Sequence, residues 1–213
     1  MKTEAINVFS PKNPLIGIKL YKGHFTTNNS HISHYIDMSE LKSNMLSAKN
    51  VARELAKPYL TNSNIDFIVC MESTEILAAY LAEELLQDGS VLKERGGEIR
   101  IVTPMNDMNG QLIFHHNVQE KIRHKNIILL VTSVSSGKTI SRALDCLDYY
   151  GGNLAGISAL FSAVEKIDRQ KINSLFTCDD IPDYRFYIPN ECEMCKEKKK
   201  LDAIVNSDGY TRL

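Results

Sequence analysis

Ile127-Ile128-Leu129-Leu130-Val131-Thr132-Ser133-Val134-Ser135-Ser136-Gly137-Lys138-Thr139 decides how this chain folds. Its first five residues are apolar at every position, without the alternation of a strand that has one wet face. Such a strand is buried on both sides, as in a parallel sheet covered by helices. A Ser/Gly turn follows, then a helical stretch from about Thr139 to Tyr150 that stops at Gly151-Gly152.

Outward from this stretch the same alternation recurs. Leu41, Met45, Ala48, Ala52 and Leu55 keep helical spacing after Ser39, and Pro58 closes that helix. Ile65 to Cys70 reads as a buried strand, and Met71 to Thr74 as a polar turn. A helix carrying Ile76, Leu77, Tyr80, Leu81 and Leu85 comes next, with Gly89 past its end. Ile99 to Thr103 and Leu154 to Phe161 supply further strands. Strands alternating with helices predict a doubly wound, mainly parallel α/β sheet. Ligands of such sheets sit beyond the carboxyl ends of the strands, which points to the loops 71–74, 104–125 and 132–139.

The whole chain agrees with a soluble globular reading. It has 213 residues, 25 basic against 26 acidic side chains and 43% hydrophobic residues. That balance argues against a polybasic nucleic-acid or membrane binder. No apolar run reaches the ~18 residues needed to span a bilayer, and Met1 to Ser10 lacks the pattern of a signal peptide, so a cytoplasmic location is expected. The five cysteines suit reduced thiols, with Cys70, Cys146 and Cys178 single and near apolar segments.

Ser135, Ser136, Gly137, Lys138 and Thr139 are the candidate phosphate site. Free amides at a helix N-terminus face the ligand, glycine permits close approach, and hydroxyls add donors. Four hydroxyls between Ser133 and Thr139 exceed what one helix cap needs. Gly137-Lys138-Thr139 also evokes a nucleoside-triphosphatase loop, but the first glycine of that motif falls on Thr132, a β-branched residue.

The same stretch resembles the signature of type I phosphoribosyltransferases: four apolar residues, two acidic, two mostly apolar, then T-T-G-x-T. Upstream, Gly23-His24-Phe25-Thr26 through Tyr35-Ile36-Asp37 is similar to the N-terminal hood of the orotate branch. Asp66 to Thr74 stands where that family places its pyrophosphate loop. The resemblance runs from about Gly17 to Phe161. It implies hood elements over residues 1–38, a core over 39–186, and a tail over 187–213 within the same domain. It implies transfer of a 5-phosphoribosyl group from phosphoribosyl diphosphate to a ring nitrogen, with Mg²⁺, in a homodimer. Met71, Glu72, Ser73 and Thr74 would hold the diphosphate, and Phe25 and Tyr35 the base.

The two acidic positions of the signature, which hold the ribose hydroxyls in the family, are Val131 and Thr132 here. A phosphoribosyl or nucleotide sensor that has lost turnover is therefore the alternative to an enzyme. Val131→Asp with Thr132→Asp is expected to strengthen sugar-diphosphate binding. The loop from Pro104 to Lys125 lacks the Arg-Lys-x-x-Lys-x-His spacing of orotate enzymes. Its His115 and His116 could be proton donors or ligands but read more simply as a solvated pair. Lys121, Arg123, His124 and Lys125 form a basic cluster, solvated as such clusters usually are or able to close over a diphosphate.

Cys192-Glu193-Met194-Cys195 offers half of a zinc site. A closed site wants four ligands, and no second C-x-x-C or H-x₃₋₅-H exists. Cys178 or a partner subunit could supply the remainder, free thiols are an equal reading, and no metal site is assigned from sequence. The lysines of residues 196–200 read as a solubilising face.

Overall fold

The structure is a computed structural model and describes residues 4–61, 64–88 and 97–213. Gly89, expected to end a helix, lies outside the described residues. Two six-stranded sheets and one two-stranded hairpin organise the described residues. A hood sheet begins with β1 (Ile6–Ser10), β2 (Asn13–Thr26) and β3 (His31–Asp37), paired antiparallel in succession. Two short helices, α1 (Ser39–Ser43) and α2 (Met45–Ala56), lead down to the core.

The single helix expected after Ser39 is broken at Asn44. That residue is extended at ψ 124°, and its side-chain oxygen accepts from the Leu46 and Ser47 amides at 3.0 and 3.2 Å. Asparagine satisfies orphan donors at a helix start better than it propagates a helix, so α2 begins anew there. Pro58 then sits in a 3₁₀ turn, Lys57–Tyr59, that ends the segment.

The core runs β4 (Phe67–Cys70), α3 (Glu75–Asp88), β5 (Arg100–Val102), a small hairpin of β6 (Met105–Asn106) with β7 (Leu112–Ile113), and α4 (His116–Ile122). It continues through β8 (Asn126–Val134), α5 (Lys138–Tyr149), β9 (Asn153–Ser162), β10 (Lys166–Ile167) and β11 (Gln170–Thr177). The sheet order is β10-β11-β9-β8-β4-β5, and every pairing is parallel except β10 with β11. The expected doubly wound parallel sheet is therefore present.

β8 is central and is buried from Ile127 to Thr132. Ile128 and Leu130 face one apolar layer with α2 and α3, whereas Ile127, Leu129 and Val131 face the other with α5. From β4 the chain moves outward to β5; from β8 it moves the opposite way, to β9. The loops after β4 and β8 thus meet at a topological switch point, where open α/β sheets bind ligands.

The far end of the chain returns to the hood. β12 (Phe186–Tyr187) pairs with β3; a short helix, α6 (Glu193–Lys196), follows. β13 (Ala203–Asn206) runs parallel to β2, and β14 (Gly209–Arg212) closes a hairpin on β13. The hood sheet thus takes strands from both ends of the sequence. Its small apolar core contains Phe25, Ile32, Tyr35, Ala203 and Val205. No helix among the described residues is long and apolar enough to cross a membrane.

Candidate active site

A cavity of about 230 Å³ opens between hood and core at the switch point. Its floor is the turn after β8 with the start of α5, Thr132 through Ile140. One side is Glu72 in the turn after β4. The roof is Thr27 to Asn29, Tyr35 and Ser39 from the hood, with Val205 to Asp208 from the tail hairpin. Phe161 and Tyr184 form an aromatic wall, with rings 5.2 Å apart edge to face.

All five residues of the candidate phosphate turn line this cavity. Gly137 is the N-cap of α5 at φ +79°, and no side chain caps the helix. The serines are therefore not spent on capping, and the residues of the first turn line the cavity at the positive end of the helix dipole. A Cβ on Gly137 would lie 2.6 Å from the Ile167 side chain in β10, so both the backbone angle and the space require glycine. Thr132 belongs to the extended run of β8 and has no positive φ, which excludes the glycine-led triphosphatase loop.

The turn after β4 contributes unequally. Glu72 and Ser73 both have φ +59°, a left-handed pair without glycine. Glu72 lines the cavity, and its carboxylate accepts from the Thr132 and Ser133 amides, each at 3.1 Å. Burial pushes this carboxyl above the usual range, against the pull of those two amides and of Lys42. Ser73 turns outward and donates to Asp208 at 2.9 Å. Met71 is packed in the apolar layer, and Thr74 is fully buried, donating to the Met71 carbonyl at 2.9 Å. Of the four residues assigned to a diphosphate, only Glu72 presents its side chain to the cavity. The other three brace the turn.

At the ribose positions the structure separates the two residues. Val131 is 1% exposed and points into the layer shared with Val69 and Ile140, away from the cavity. Thr132 lines the cavity, but its hydroxyl donates to the Glu72 carbonyl at 3.0 Å. The carboxylates that do line the cavity are Glu72 and Asp208, from other elements.

The two expected base-stacking aromatics also diverge. Phe25 is 0% exposed, enclosed in the hood core, and does not line the cavity. Tyr35 does line it, edge to face with Tyr210 at 5.3 Å, and burial pushes its hydroxyl up to about 12. Sequence reasoning missed Lys42, Tyr184 and the tail. The Lys42 ammonium, buried, donates to the carbonyls of Glu72 at 3.1 Å and Ser207 at 2.7 Å, tying the β4 turn to the tail hairpin.

His115 and His116 are exposed at the start of α4, outside the cavity. The basic cluster is exposed, as its plainer reading had it. Lys121, Arg123 and Lys125 border a depression with Asp66, Glu98 and Arg100 at the amino ends of the core strands, where Lys125 pairs with Asp66 at 3.4 Å. That is the opposite edge from the phosphate turn, so the cluster cannot close over a ligand there.

No protein-family model matches the sequence, and no curated protein matches it. Solved structures do match the fold. The UMP synthase of Leishmania donovani aligns with a TM-score of 0.55 at 16% identity, over 75% of this chain and 34% of that one, so this chain spans about a third of its length. The orotate phosphoribosyltransferase of Mycobacterium tuberculosis H37Rv, in complex with Fe(III) dicitrate, aligns at 0.51 and 10% identity, over 78% and 93%. The adenine phosphoribosyltransferase of Rhodothermus marinus aligns at 0.50 and 13%, over 81% and 93%. With its switch-point cavity between hood and core, the chain has the fold of the type I phosphoribosyltransferases.

Proposed function

We propose that this chain is a phosphoribosyltransferase of the orotate type, moving a 5-phosphoribosyl group from phosphoribosyl diphosphate to a ring nitrogen of a nucleobase. The observation that carries the reading is the uncapped α5 start facing the same cavity as Glu72, Asp208 and the tyrosines. The 5′-phosphate would rest on the amides and hydroxyls of Ser135 to Thr139. A flat base would lie against Tyr35, Tyr184 and Phe161, which give it apolar faces. Glu72 and Asp208 would take the place of the missing acidic pair, their negative charge favouring the cationic sugar of the transition state. Both are hard oxygen donors at the cavity edge, which fits Mg²⁺ held between one or two carboxylates and a substrate diphosphate. When bound, that ion would neutralise the leaving diphosphate. The reading includes a cytoplasmic homodimer, by resemblance.

A second reading, a phosphoribosyl-compound sensor without turnover, is favoured by the inward turn of Val131. One experiment decides between them. The protein is titrated with phosphoribosyl diphosphate and Mg²⁺, then assayed for pyrophosphate release with orotate and with purine bases. Release with one base supports the transferase. Tight binding without release for any base leaves the sensor. Thr139→Val is expected to weaken binding by roughly 10-fold or more, the worth of a hydrogen bond to a charged group. No binding by the parent protein would overturn both readings.

A further inference from the structure

We propose that His24, His31, Cys192 and Cys195 form a structural Zn²⁺ site that clasps the C-terminal tail to the hood. The cysteines flank and enter α6, while the histidines lie on the neighbouring strands β2 and β3. Their four ligand atoms all lie within 4.8 Å of one another. This supplies the missing half of the C-x-x-C site. Cys178 is not the completing ligand, because its thiol is directed to the Ala163 carbonyl.

The distances match a tetrahedron around zinc. Zinc–thiolate bonds of about 2.3 Å and zinc–imidazole bonds of about 2.0–2.1 Å put sulfur and nitrogen about 3.5 Å apart and two nitrogens about 3.3 Å apart. Here His24 Nε2 lies 3.5 Å from Cys192 Sγ and 3.6 Å from Cys195 Sγ. Cys195 Sγ lies 3.3 Å from His31 Nδ1, and the two ring nitrogens are 3.1 Å apart.

The outer partners agree. His24 Nδ1 sits 2.9 Å from the Lys199 carbonyl and can only donate to it, which leaves Nε2 as a bare lone pair aimed at the other three ligands. A carbonyl holding the far nitrogen of a ligating histidine is the usual device for fixing its tautomer. The Asp202 carboxylate accepts from the His24 amide at 2.8 Å and so fixes the strand that carries the ring. Two thiolates balance the charge of Zn²⁺, so a neutral centre can sit where His24 and Cys192 are 0% and 1% exposed.

The tail also needs such a clasp. Beyond β12 it holds a four-residue helix, two four-residue strands and a lysine run, with Cys192, Ala203 and Val205 as its buried side chains. So little apolar area cannot by itself hold a segment in place, and small units of this kind commonly lean on a metal.

Metal content and ligand geometry test this without any nucleotide, so the result stands apart from the transferase reading. The untagged protein, purified with reductant and without chelator, should carry one zinc per chain, released by a mercurial thiol reagent. Co²⁺ in its place should give intense tetrahedral bands and thiolate charge transfer. Cys195→Ser and His31→Asn should each lower zinc affinity by more than the about 10- to 100-fold that an outer partner is worth. Cys178→Ser should leave the metal content unchanged. Should a ligand variant not fold, the Co²⁺ spectrum of the parent protein decides. A metal-free protein that gives no tetrahedral Co²⁺ bands on titration, or one carrying a Cys192–Cys195 disulfide under these conditions, overturns the proposal.

Discussion

The Ser73 hydroxyl donates to the Asp208 carboxylate at 2.9 Å across 135 residues of sequence, and so joins the turn after β4 to the tip of the tail hairpin. Lys42 makes the same junction from below through the Glu72 and Ser207 carbonyls. Asn206 shapes the tip, accepting from the Asp208 and Gly209 amides at 2.9 and 3.0 Å. The tail part of the cavity roof is therefore bonded to the loop that would face a diphosphate.

Asp208→Ala should weaken binding of phosphoribosyl diphosphate with Mg²⁺ by about 10-fold, while the melting temperature stays nearly constant. The first effect is the loss of a charged hydrogen-bonding group at the cavity. The second follows because the Ser73–Asp208 pair is exposed and contributes little to folding. Calorimetric titration beside thermal melts checks it. A loss of stability as large as the loss of affinity would make Asp208 a brace and not a ligand group.

Val131→Asp should destabilise the fold by about 3 kcal/mol or more, because a carboxylate would be buried in an apolar layer without a partner. The sequence suggested that Val131→Asp together with Thr132→Asp would tighten sugar-diphosphate binding, on the assumption that both side chains face the ligand. Urea unfolding measures the difference. A stable variant with improved sugar-diphosphate affinity would mean that the end of β8 is turned the other way.

Sulfate affinity should rise as the pH falls from 7 towards 5, and Glu72→Gln should bind sulfate more tightly at pH 7 with little pH dependence. Sulfate does not titrate in this range, so the change reports the protein. Burial raises the Glu72 carboxyl, so it takes up its proton at higher pH than an ordinary glutamate. Each protonation removes a negative charge beside the anion cradle, an effect of about 3- to 10-fold for a partly screened charge pair. The same slope in Glu72→Gln as in the parent would assign it to another group.

The core was readable because burial leaves a plain mark on sequence. A strand with five apolar residues in a row has few places to go, and a Ser/Gly turn after it opens a helix. Orientation was harder. Val131 and Thr132 are neighbours, so one faces each layer, and an alignment on Gly137 cannot say which. Phe25 carried a similar ambiguity, since an aromatic in a hood strand suits either the hood core or the ligand side. The tail was illegible for another reason. Strands of four residues have too short a period to register, and the partners of Cys192 and Cys195 are 164 to 171 residues away on two different strands. Metal-ligand spacing is a local signal, and this cluster is made by sheet pairing. Lys42 gave none, because one lysine on a helix is indistinguishable from a solvated one until its helix is placed.

Joining β2 to residues 199–204 also sets an order of events during synthesis. On a ribosome the hood strands emerge before the groups that hold His24, because Lys199 and Asp202 follow 175 and 178 residues later. Contacts so far apart along the chain close slowly and late. The α/β core can condense as it is translated, while the cavity lacks the tail side of its roof until β13 and β14 arrive. Nascent chains stalled before residue 199 should thus hold a folded core with an open cleft.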